Sequence, residues 1–210
     1  WPGYKTCAGI ERALFAQFHP LEEALDLMGV TVWPMVELEA DDALASAAHL
    51  ASADPNVDKV CIWTPDNALG QCVKGERVVQ IDRSAGIIRD EPTIKKKFGV
   101  PPALIPDFLA LVGDSADGYH GITGIGKVSA ARLLNEYGPI EKFPVDVLGK
   151  RRDDALLFKR LATLVTSASL FDKAEQLRWI GPTKEFARFA DKIGAQRLLE
   201  RAETLASKIG

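Results

Sequence analysis

The stretch from Ala110 to Gly138 constrains the fold most, because it combines turn residues with a helical apolar pattern. Asp114 and Asp117 lie in a turn flanked by glycines, and a glycine-punctuated hairpin follows from Gly121 to Gly126. The next residues can place apolar side chains on one helix face, with Gly138 fitting the helix end. That face comprises Val128, Ala131, Leu134 and Tyr137. The stretch therefore predicts a turn, a tight hairpin and an amphipathic helix in immediate succession.

The hairpin has features that suit a bound phosphate. Gly124 and Gly126 allow a tight turn and leave no Cβ between the backbone and a ligand. The helix that follows begins with unpaired N–H groups, and its dipole favours an anion there. A corner between two helices that binds no ligand would use the same residues, so the glycines alone leave both interpretations open.

A nucleotide-binding loop is a further alternative, because Gly121 to Lys127 reads GxxxxGK. Such a loop needs Ser or Thr directly after the lysine to reach Mg²⁺, whereas this chain has Val128 there and Ser129 one position late. It should also follow a buried strand, and here it follows carboxylates. We therefore reject the nucleotide-binding loop. Because the neighbouring acids would repel a bare phosphate, their pairing with the hairpin indicates metal ions between them.

From Gly113 to Gly138 the sequence GDSADGYHGITGIGKVSAARLLNEYG resembles the metal-binding and helix–three-turn–helix region of the 5′-nucleases. This family comprises the flap endonucleases and the 5′→3′ exonuclease domain of bacterial DNA polymerase I. Upstream, Glu39-Ala-Asp41-Asp42 matches the family's Glu-Ala-Asp-Asp motif. The resemblance covers nearly all 210 residues. It implies a structure-specific 5′-nuclease that hydrolyses DNA phosphodiesters by a two-metal mechanism.

The resemblance and the strand–helix alternation before residue 113 predict an α/β fold. We expect a PIN-like, mainly parallel sheet with flanking helices, followed by a helix–three-turn–helix (helix-hairpin-helix) region. Residues 1–112 would form the metal-binding core, without the family's N-terminal strand and its acids, which would precede Trp1. Residues 113–210 would form the DNA-binding region and the C-terminal helices.

The resemblance also implies three sets of site residues. The catalytic residues would be Lys5, Glu39, Asp41 and Asp66. The metal ligands would be Glu39, Asp41, Asp42, Asp66, Asp114 and Asp117. The DNA-binding residues would be Gly121, Gly124, Ile125, Gly126, Lys127 and Ser129. Taken alone, Asp41 and Asp42 are also explained as first-turn acids favoured by a helix dipole, and Lys5 as a surface lysine.

The cofactors that the resemblance implies are two Mg²⁺ or Mn²⁺ ions, with K⁺ as a candidate ion at the hairpin. The expected partner is DNA with 5′ ends, flaps or branched duplex. No apolar run approaches the ~20 residues of a membrane span. We expect no membrane contact, a monomer and a cytoplasmic location.

Two departures from the family pattern bear on activity. Relatives usually read Asp-Lys-Asp-Leu where this chain has Asp66-Asn67-Ala68-Leu69, so Ala68 replaces a second carboxylate. They also usually read Asp-Asn-Ile-Pro-Gly where this chain has Asp117-Gly118-Tyr119-His120-Gly121. These departures keep open a catalytically weak or silent DNA-structure-binding module on the same fold. A small-molecule phosphatase would keep the metals but would give the hairpin no role.

The charge distribution suits a metal-dependent nuclease better than the net charge of −3 does. Residues 1–90 carry 7 basic and 14 acidic side chains, whereas residues 151–210 carry 12 and 8. An acidic part could hold cations and a basic part could hold a nucleic-acid backbone. The cysteines, Cys7, Cys61 and Cys72, share no metal-ligand spacing, and the three histidines are scattered, which argues against a zinc site.

Apolar periodicity and turn residues predict the remaining elements. We expect a helix from Ala13 to Met28 that ends at Gly29, and a strand pair around a turn at residues 84–86. Further strands are expected at Val30–Val36 and Val57–Thr64, and helices near residues 91–99, 106–112, 154–165 and 195–206. The basic side chains expected to follow a duplex are Arg151, Arg152, Lys159 and Arg160.

Overall fold

The computed structural model describes residues 1–6 and 9–209, which divide into two compact units. The first unit comprises Trp1–Thr6 and Leu38–Leu170. The second comprises Cys7–Glu37 and Phe171–Gly210. Cys7, one of the three cysteines considered above, lies outside the described residues.

The described elements alternate between helices and short strands. The strands are β1 Val60–Trp63, β2 Val78–Asp82 and β3 Ile87–Arg89. The α-helices are α1 Arg12–Phe15, α2 Phe18–Leu27, α3 Ala40–Ala53, α4 Glu91–Phe98, α5 Ile105–Val112, α6 Lys127–Tyr137, α7 Val145–Leu148, α8 Arg152–Ala162, α9 Phe186–Lys192 and α10 Gln196–Ala206. Short 3₁₀ helices lie at Ala68–Cys72, Pro102–Leu104, Ile140–Lys142, Gly149–Arg151 and Ala174–Leu177.

The first unit contains a small mixed sheet in the order β1-β2-β3. β1 pairs in parallel with β2, and β2 pairs antiparallel with β3 around the predicted turn. Within the sheet, the Arg89 side chain donates to Gln80 and forms a 2.6 Å ion pair with Asp82. The α/β class with helices flanking a sheet is thereby confirmed.

A helical layer forms the larger core of the first unit. α5 packs against α8 and α6, and its apolar side chains are almost entirely buried. Asp107 of α5 is 1% exposed, and its carboxylate accepts from the Ile140 N–H at 2.8 Å and from Lys159 Nζ at 2.8 Å. Since a buried charge is tolerated only when it is paired and hydrogen-bonded, this pair holds α5 and α8 together.

Three of the four basic residues expected to follow a duplex make internal bonds in the structure, and their contact with a duplex stays a prediction. Arg152 donates to the carbonyls of Phe143 and Glu141, and Lys159 pairs with Asp107 and Glu141. Arg151 donates to the Thr123 carbonyl at 2.6 Å. Their first role is therefore to stabilise the helical layer and the hairpin.

The second unit corrects two local predictions. Residues 30–36 form no strand, because Pro34 lacks an N–H for a ladder and no neighbouring strand of the described chain pairs with them. The helix predicted from Ala13 to Met28 is broken at residues 16–17 into α1 and α2. Its end is as expected, since Gly29 has φ +79°. Within this unit, Trp179 Nε1 donates to the Met28 carbonyl at 2.8 Å.

The described part of the chain contains no helix with the length and apolar character needed to cross a membrane.

Candidate metal centre and DNA-binding hairpin

The ammonium group of Lys5 lies among three of the predicted site carboxylates. Its Nζ is 2.5 Å from Glu39 Oε2 and 3.5 Å from both Asp41 Oδ2 and Asp117 Oδ1. The backbone N–H of Lys5 also donates to the backbone carbonyl of Asp117 at 3.0 Å. Among described residues, Lys5 is the one non-glycine residue with a positive φ, at 40°. Backbone strain of this kind is retained only where the surroundings enforce it, and it concentrates at functional sites.

The start of α3 positions Glu39 and Asp41. Glu39 is the N-cap residue, and it forms a reciprocal capping box with Asp42 in which each side chain accepts from the other's backbone N–H. This arrangement fixes the first turn, from which Asp41 projects toward Lys5. The hydroxyl of Tyr4, which is not among the predicted site residues, lies 3.4 Å from Glu39 Oε2 and 3.4 Å from the Leu161 carbonyl.

Asp42 differs from its two neighbours in burial and in partners. It is 9% exposed, and its carboxylate accepts from the backbone N–H groups of Glu39, at 3.0 Å, and Val165, at 2.8 Å. The structure thus gives Asp42 the role of holding the N-terminus of α3 in place. Its role as a metal ligand stays a prediction.

Asp66 lies just beyond the C-terminal end of β1, the edge at which open α/β sheets bind ligands. Its side chain accepts from the Ala68 N–H at 2.7 Å, which forms a tight turn into the 3₁₀ helix. Ala68 itself is 6% exposed and packs in the main core. The position where the family has a second carboxylate is therefore an apolar, buried one in this chain.

Asp114 and Asp117 lie in one loop after α5. The backbone of Asp114 pairs with Tyr119 in both directions, and its side chain accepts from the Ala116 N–H at 3.0 Å. Gly118, with φ +82°, packs so closely on Gly3 that a Cβ there would overlap the Gly3 carbonyl. This contact brings residues 1–6 against the loop and places Lys5 beside Asp117.

The electrostatics indicate that these acids form one cluster. Burial raises the pKa of Asp41, and the nearby charge of Asp66 raises it further. Burial also raises the pKa of Asp117, with additional contributions from Asp114 and Asp66 and an opposing one from Lys5. Burial alone would lower the pKa of Lys5, but its hydrogen bond to Glu39 and the charge of Asp117 raise it above its ordinary value.

The donor set suits a hard divalent cation, because every contributing atom is a carboxylate oxygen. A cationic nitrogen already lies among these oxygens, so the cluster accommodates positive charge at this position. Within residues 1–6 and 9–209, no three His, Cys, Asp or Glu side chains converge tightly enough to hold an ion as they stand. Ion binding at this point would therefore require the Lys5 ammonium to move away from the carboxylates.

The hairpin between α5 and α6 has the predicted geometry. Gly121 has φ +69° and is buried against the end of α5, where a Cβ would overlap the backbone of Val112 and Gly113. Gly124 has φ +86°, and Gly126 is the N-cap of α6 with extended dihedrals. A Cβ on either of these two would meet no atom within 4 Å. Gly121 therefore serves packing, whereas Gly124 and Gly126 leave the outer side of the hairpin open.

The other hairpin residues divide between core and solvent. Lys127, in the first turn of α6, is exposed, while Ile125 and Ser129 are partly buried. Leu134 is buried and Ala131 and Tyr137 pack against the core, as expected, but Val128 is 85% exposed, so its expected place on the buried helix face is wrong. An exposed valine beside the open glycines leaves the start of α6 accessible. The DNA contacts and the K⁺ ion expected at the hairpin stay predictions.

Two family models match consecutive parts of the chain. The model described as 5′-3′ exonuclease, N-terminal resolvase-like domain, matches residues 1–99. The model described as 5′-3′ exonuclease, C-terminal SAM fold, matches residues 100–185. The chain belongs to the 5′-3′ exonuclease family. The family that the sequence motifs indicate is thereby confirmed.

Curated relatives match most of this chain but are longer. The chain is 34% identical to the 5′-3′ exonuclease of Aquifex aeolicus over 172 residues, which cover 79% of this chain and 58% of that protein. It is 32% identical to DNA polymerase I of Bacillus subtilis over 198 residues, which cover 86% of this chain and 22% of that protein. The chain thus spans less than two thirds of the length of these relatives.

Solved structures share the fold at low sequence identity. The T5 D15 protein co-crystallised with metal ions has a TM-score of 0.65 and 18% identity, over 91% of this chain and 76% of that chain. The catalytic core of Rad2 in complex with DNA substrate has a TM-score of 0.53 and 16% identity, over 87% and 65%. At these identities the likeness concerns the fold.

Proposed function

We propose that this chain is a metal-dependent 5′-nuclease that hydrolyses DNA phosphodiesters near 5′ ends, in flaps or in branched duplexes. The observation that carries the proposal is the convergence of Glu39, Asp41 and Asp117 on one cationic nitrogen, in a member of the 5′-3′ exonuclease family. The open glycine hairpin adds support. So do neighbours of the same fold, some of which were solved with metal ions and several with DNA.

The carboxylates divide into two proposed ion sites. Glu39, Asp41 and Asp66 would hold one Mg²⁺ or Mn²⁺ ion, and Asp114 and Asp117 would hold the second. Two such ions, when bound, activate a water molecule and neutralise charge at the phosphate being cut. We assign the catalytic residues as Lys5, Glu39, Asp41 and Asp66.

Lys5 has two states in this proposal. In the free protein its ammonium balances the carboxylates, with Glu39 at 2.5 Å. With DNA present it would turn to an oxygen of the scissile phosphate, which releases the carboxylates for metal binding. The Tyr4 hydroxyl, 3.4 Å from Glu39, would keep that carboxylate oriented while Lys5 moves.

Single-turnover cleavage of a 5′-flap DNA in Mg²⁺ tests the proposal. Asp41→Asn removes one carboxylate charge from the cluster and should lower the cleavage rate by orders of magnitude, because a misplaced ion disturbs the reacting geometry. Asp58→Asn, at an exposed acid of the same unit, is the matched control and should cut at the wild-type rate. Flap binding in EDTA should be the same for all three proteins. Equal cleavage by wild type and Asp41→Asn would overturn the proposal.

A catalytically silent DNA-structure-binding module is the second candidate, and Ala68 favours it. Because Ala68 has no carboxylate and lies buried in the core, the second ion would be held by Asp114 and Asp117 with additional water molecules. We propose that this weakens activity and raises the metal concentration needed. Ala68→Asp should then increase cleavage, provided that urea unfolding shows that the core tolerates the added carboxylate. A wild type that binds flaps without cutting them in Mg²⁺ or Mn²⁺ would favour the silent module.

Several narrower expectations stay predictions. They are a domain boundary near residue 112, K⁺ at the hairpin, a monomeric state and a cytoplasmic location.

A further inference from the structure

A polar cavity of about 280 Å³ lies in the first unit between the proposed metal ligands and the hairpin. Its polar lining comes from Asn67, Lys97, Asp114, Ser115 and Lys127. Asn67 directly follows Asp66, and Lys127 begins α6. The cavity therefore connects the two parts of the proposed nuclease site, and neither the carboxylates nor the hairpin glycines account for it.

Lys97, at the end of α4, is held over this cavity. Its Nζ donates to Asn67 Oδ1 at 2.7 Å and lies 4.9 Å from the centre of the Phe98 ring. The hydrogen bond goes to a neutral amide, which leaves the ammonium charge uncompensated. No carboxylate of the described chain lies within ion-pair distance of Lys97 or Lys127.

Two like charges facing one cavity favour an anion there. Partial burial lowers the pKa of Lys97, and the nearby charges of Arg89 and Lys127 lower it further, against the opposing charges of Asp82 and Asp66. The Ser115 hydroxyl can donate a hydrogen bond to a phosphate oxygen. Asp114 also lines the cavity, so an anion would lie on the lysine side of it.

We infer that Lys97 and Lys127 clamp one DNA backbone phosphate in this cavity, between the bond to be cut and the duplex held by the hairpin. The inference rests on the proposed nuclease function. Lys97 is then a positioning residue: by holding that phosphate, it fixes the distance from the duplex grip to the cut. Lys95 and Lys96, which directly precede Lys97 in α4, do not line the cavity and have no such role.

Lys97→Met and Lys97→Arg test the inference, with Lys96→Met as the matched control. Met keeps an apolar stem over Phe98 without the charge, and Arg keeps the charge. Equilibrium binding of a 5′-flap duplex is measured in Ca²⁺ at several salt concentrations. Lys97→Met should lower the salt slope by about one unit and weaken binding about five-fold or more, whereas Lys97→Arg and Lys96→Met should bind like wild type.

Thermal melting separates positioning from folding. Because burial and the charges of Arg89 and Lys127 disfavour the Lys97 ammonium more than Asp82 and Asp66 favour it, removing its charge should not lower the melting temperature. A drop of several degrees in Lys97→Met would assign it a structural role and overturn the inference. In single-turnover cleavage, Lys97→Met should also produce cuts at several neighbouring phosphodiesters. Substitution of a residue with a purely structural role would leave the cleavage position unchanged.

These measurements also distinguish failure of the proposed function from failure of the Lys97 inference. If wild type does not bind flap DNA, the proposed function itself fails. If wild type binds and the two Met variants bind equally well, only the Lys97 clamp fails. If Lys97→Met keeps DNA affinity but loses inhibition by a free 5′-mononucleotide, the cavity takes the product's phosphate and the backbone assignment is wrong.

Discussion

Replacing Gly126 separates what the hairpin needs for folding from what it needs for the proposed binding of DNA. Its φ of −89° and ψ of 179° are ordinary extended backbone, and an added Cβ meets nothing within 4 Å. A valine there would project into open space at the start of α6. We expect Gly126→Val to keep the fold and lose duplex affinity, because the side chain blocks a phosphate approaching the helix N-terminus.

Two small contributions decide the stability of Gly126→Ala, and they nearly cancel. Removing a glycine at compatible dihedrals restricts the unfolded chain, which stabilises the fold by about 0.4–1 kcal/mol. Alanine is a poorer N-cap than glycine, which costs about 0.5–1 kcal/mol. The free energy of unfolding should therefore change by less than about 0.5 kcal/mol, the range of an ordinary surface substitution.

Two other glycines of the hairpin supply controls. Gly124 has φ +86°, so Gly124→Ala should cost about 1–2 kcal/mol of backbone strain, although its Cβ would meet no atom. Gly121→Ala should disrupt the hairpin outright, because its Cβ would overlap the backbone at the end of α5. The structure therefore predicts that the loss of stability increases from Gly126→Ala through Gly124→Ala to Gly121→Ala.

The assay is equilibrium binding of 5′-flap duplexes of several sequences in Ca²⁺, with urea unfolding of each variant. Gly126→Val should bind every sequence about ten-fold or more weakly, which is about 1.4 kcal/mol, with a wild-type free energy of unfolding. A uniform loss across sequences indicates phosphate contacts, since base contacts would make the loss depend on sequence. If Gly126→Val binds flap DNA as tightly as wild type, the reasoning about the hairpin is refuted.

Three further predictions concern the acids. Mg²⁺ at about ten times its dissociation constant should raise the free energy of unfolding by about 1.4 kcal/mol. In a thermal melt, Asp117→Asn should reduce this gain. A melting curve that does not respond to Mg²⁺ would contradict a metal role. Lys159→Met should cost about 3 kcal/mol in urea unfolding, because it leaves Asp107 charged and buried without its partner; an unchanged midpoint would contradict this. The pKa of Asp82 is lowered by the Ala85 N–H and then by Arg89, so its contribution stabilises the fold above about pH 4 and is lost as pH falls through the lowered pKa. Asp82→Asn should therefore make the melting temperature less sensitive to pH between about 5 and about 3 than it is in wild type.

Local sequence signals predict the helices and the hairpin well, because their causes are local. The Asp90 side chain caps α4 by accepting from the Thr93 N–H, and Gly99 ends the helix with φ +75°. The same kind of signal fails at residues 30–36. A β-branched run predicts strand propensity, but a strand also needs a neighbouring strand to pair with, which propensity does not supply.

The position of Lys5 could not be predicted from its neighbours in sequence. Its ammonium reaches Glu39 and Asp117 because backbone contacts between residues 1–6 and the loop at Gly118 hold the segment there, across more than 110 residues of sequence. The exposed Val128 has a related cause. Helical spacing predicts the face of α6 that contains the buried Leu134, but it does not show how far along the helix that face is covered, and Val128 in the first turn is exposed.

The unequal numbers of positive and negative charges in the proposed metal centre favour the binding of further cations there. Asp41 and Asp117 each place an oxygen 3.5 Å from the same nitrogen, so these oxygens lie no more than about 7 Å apart. At that separation two carboxylates repel by about 2 kcal/mol near a protein surface. A single ammonium cannot offset such repulsion among all five clustered acids. Lys97 and Lys127, which face the neighbouring cavity, form no ion pair with a carboxylate of the described residues. Cations at the acids and a phosphate at the lysines would together balance the charge on both sides.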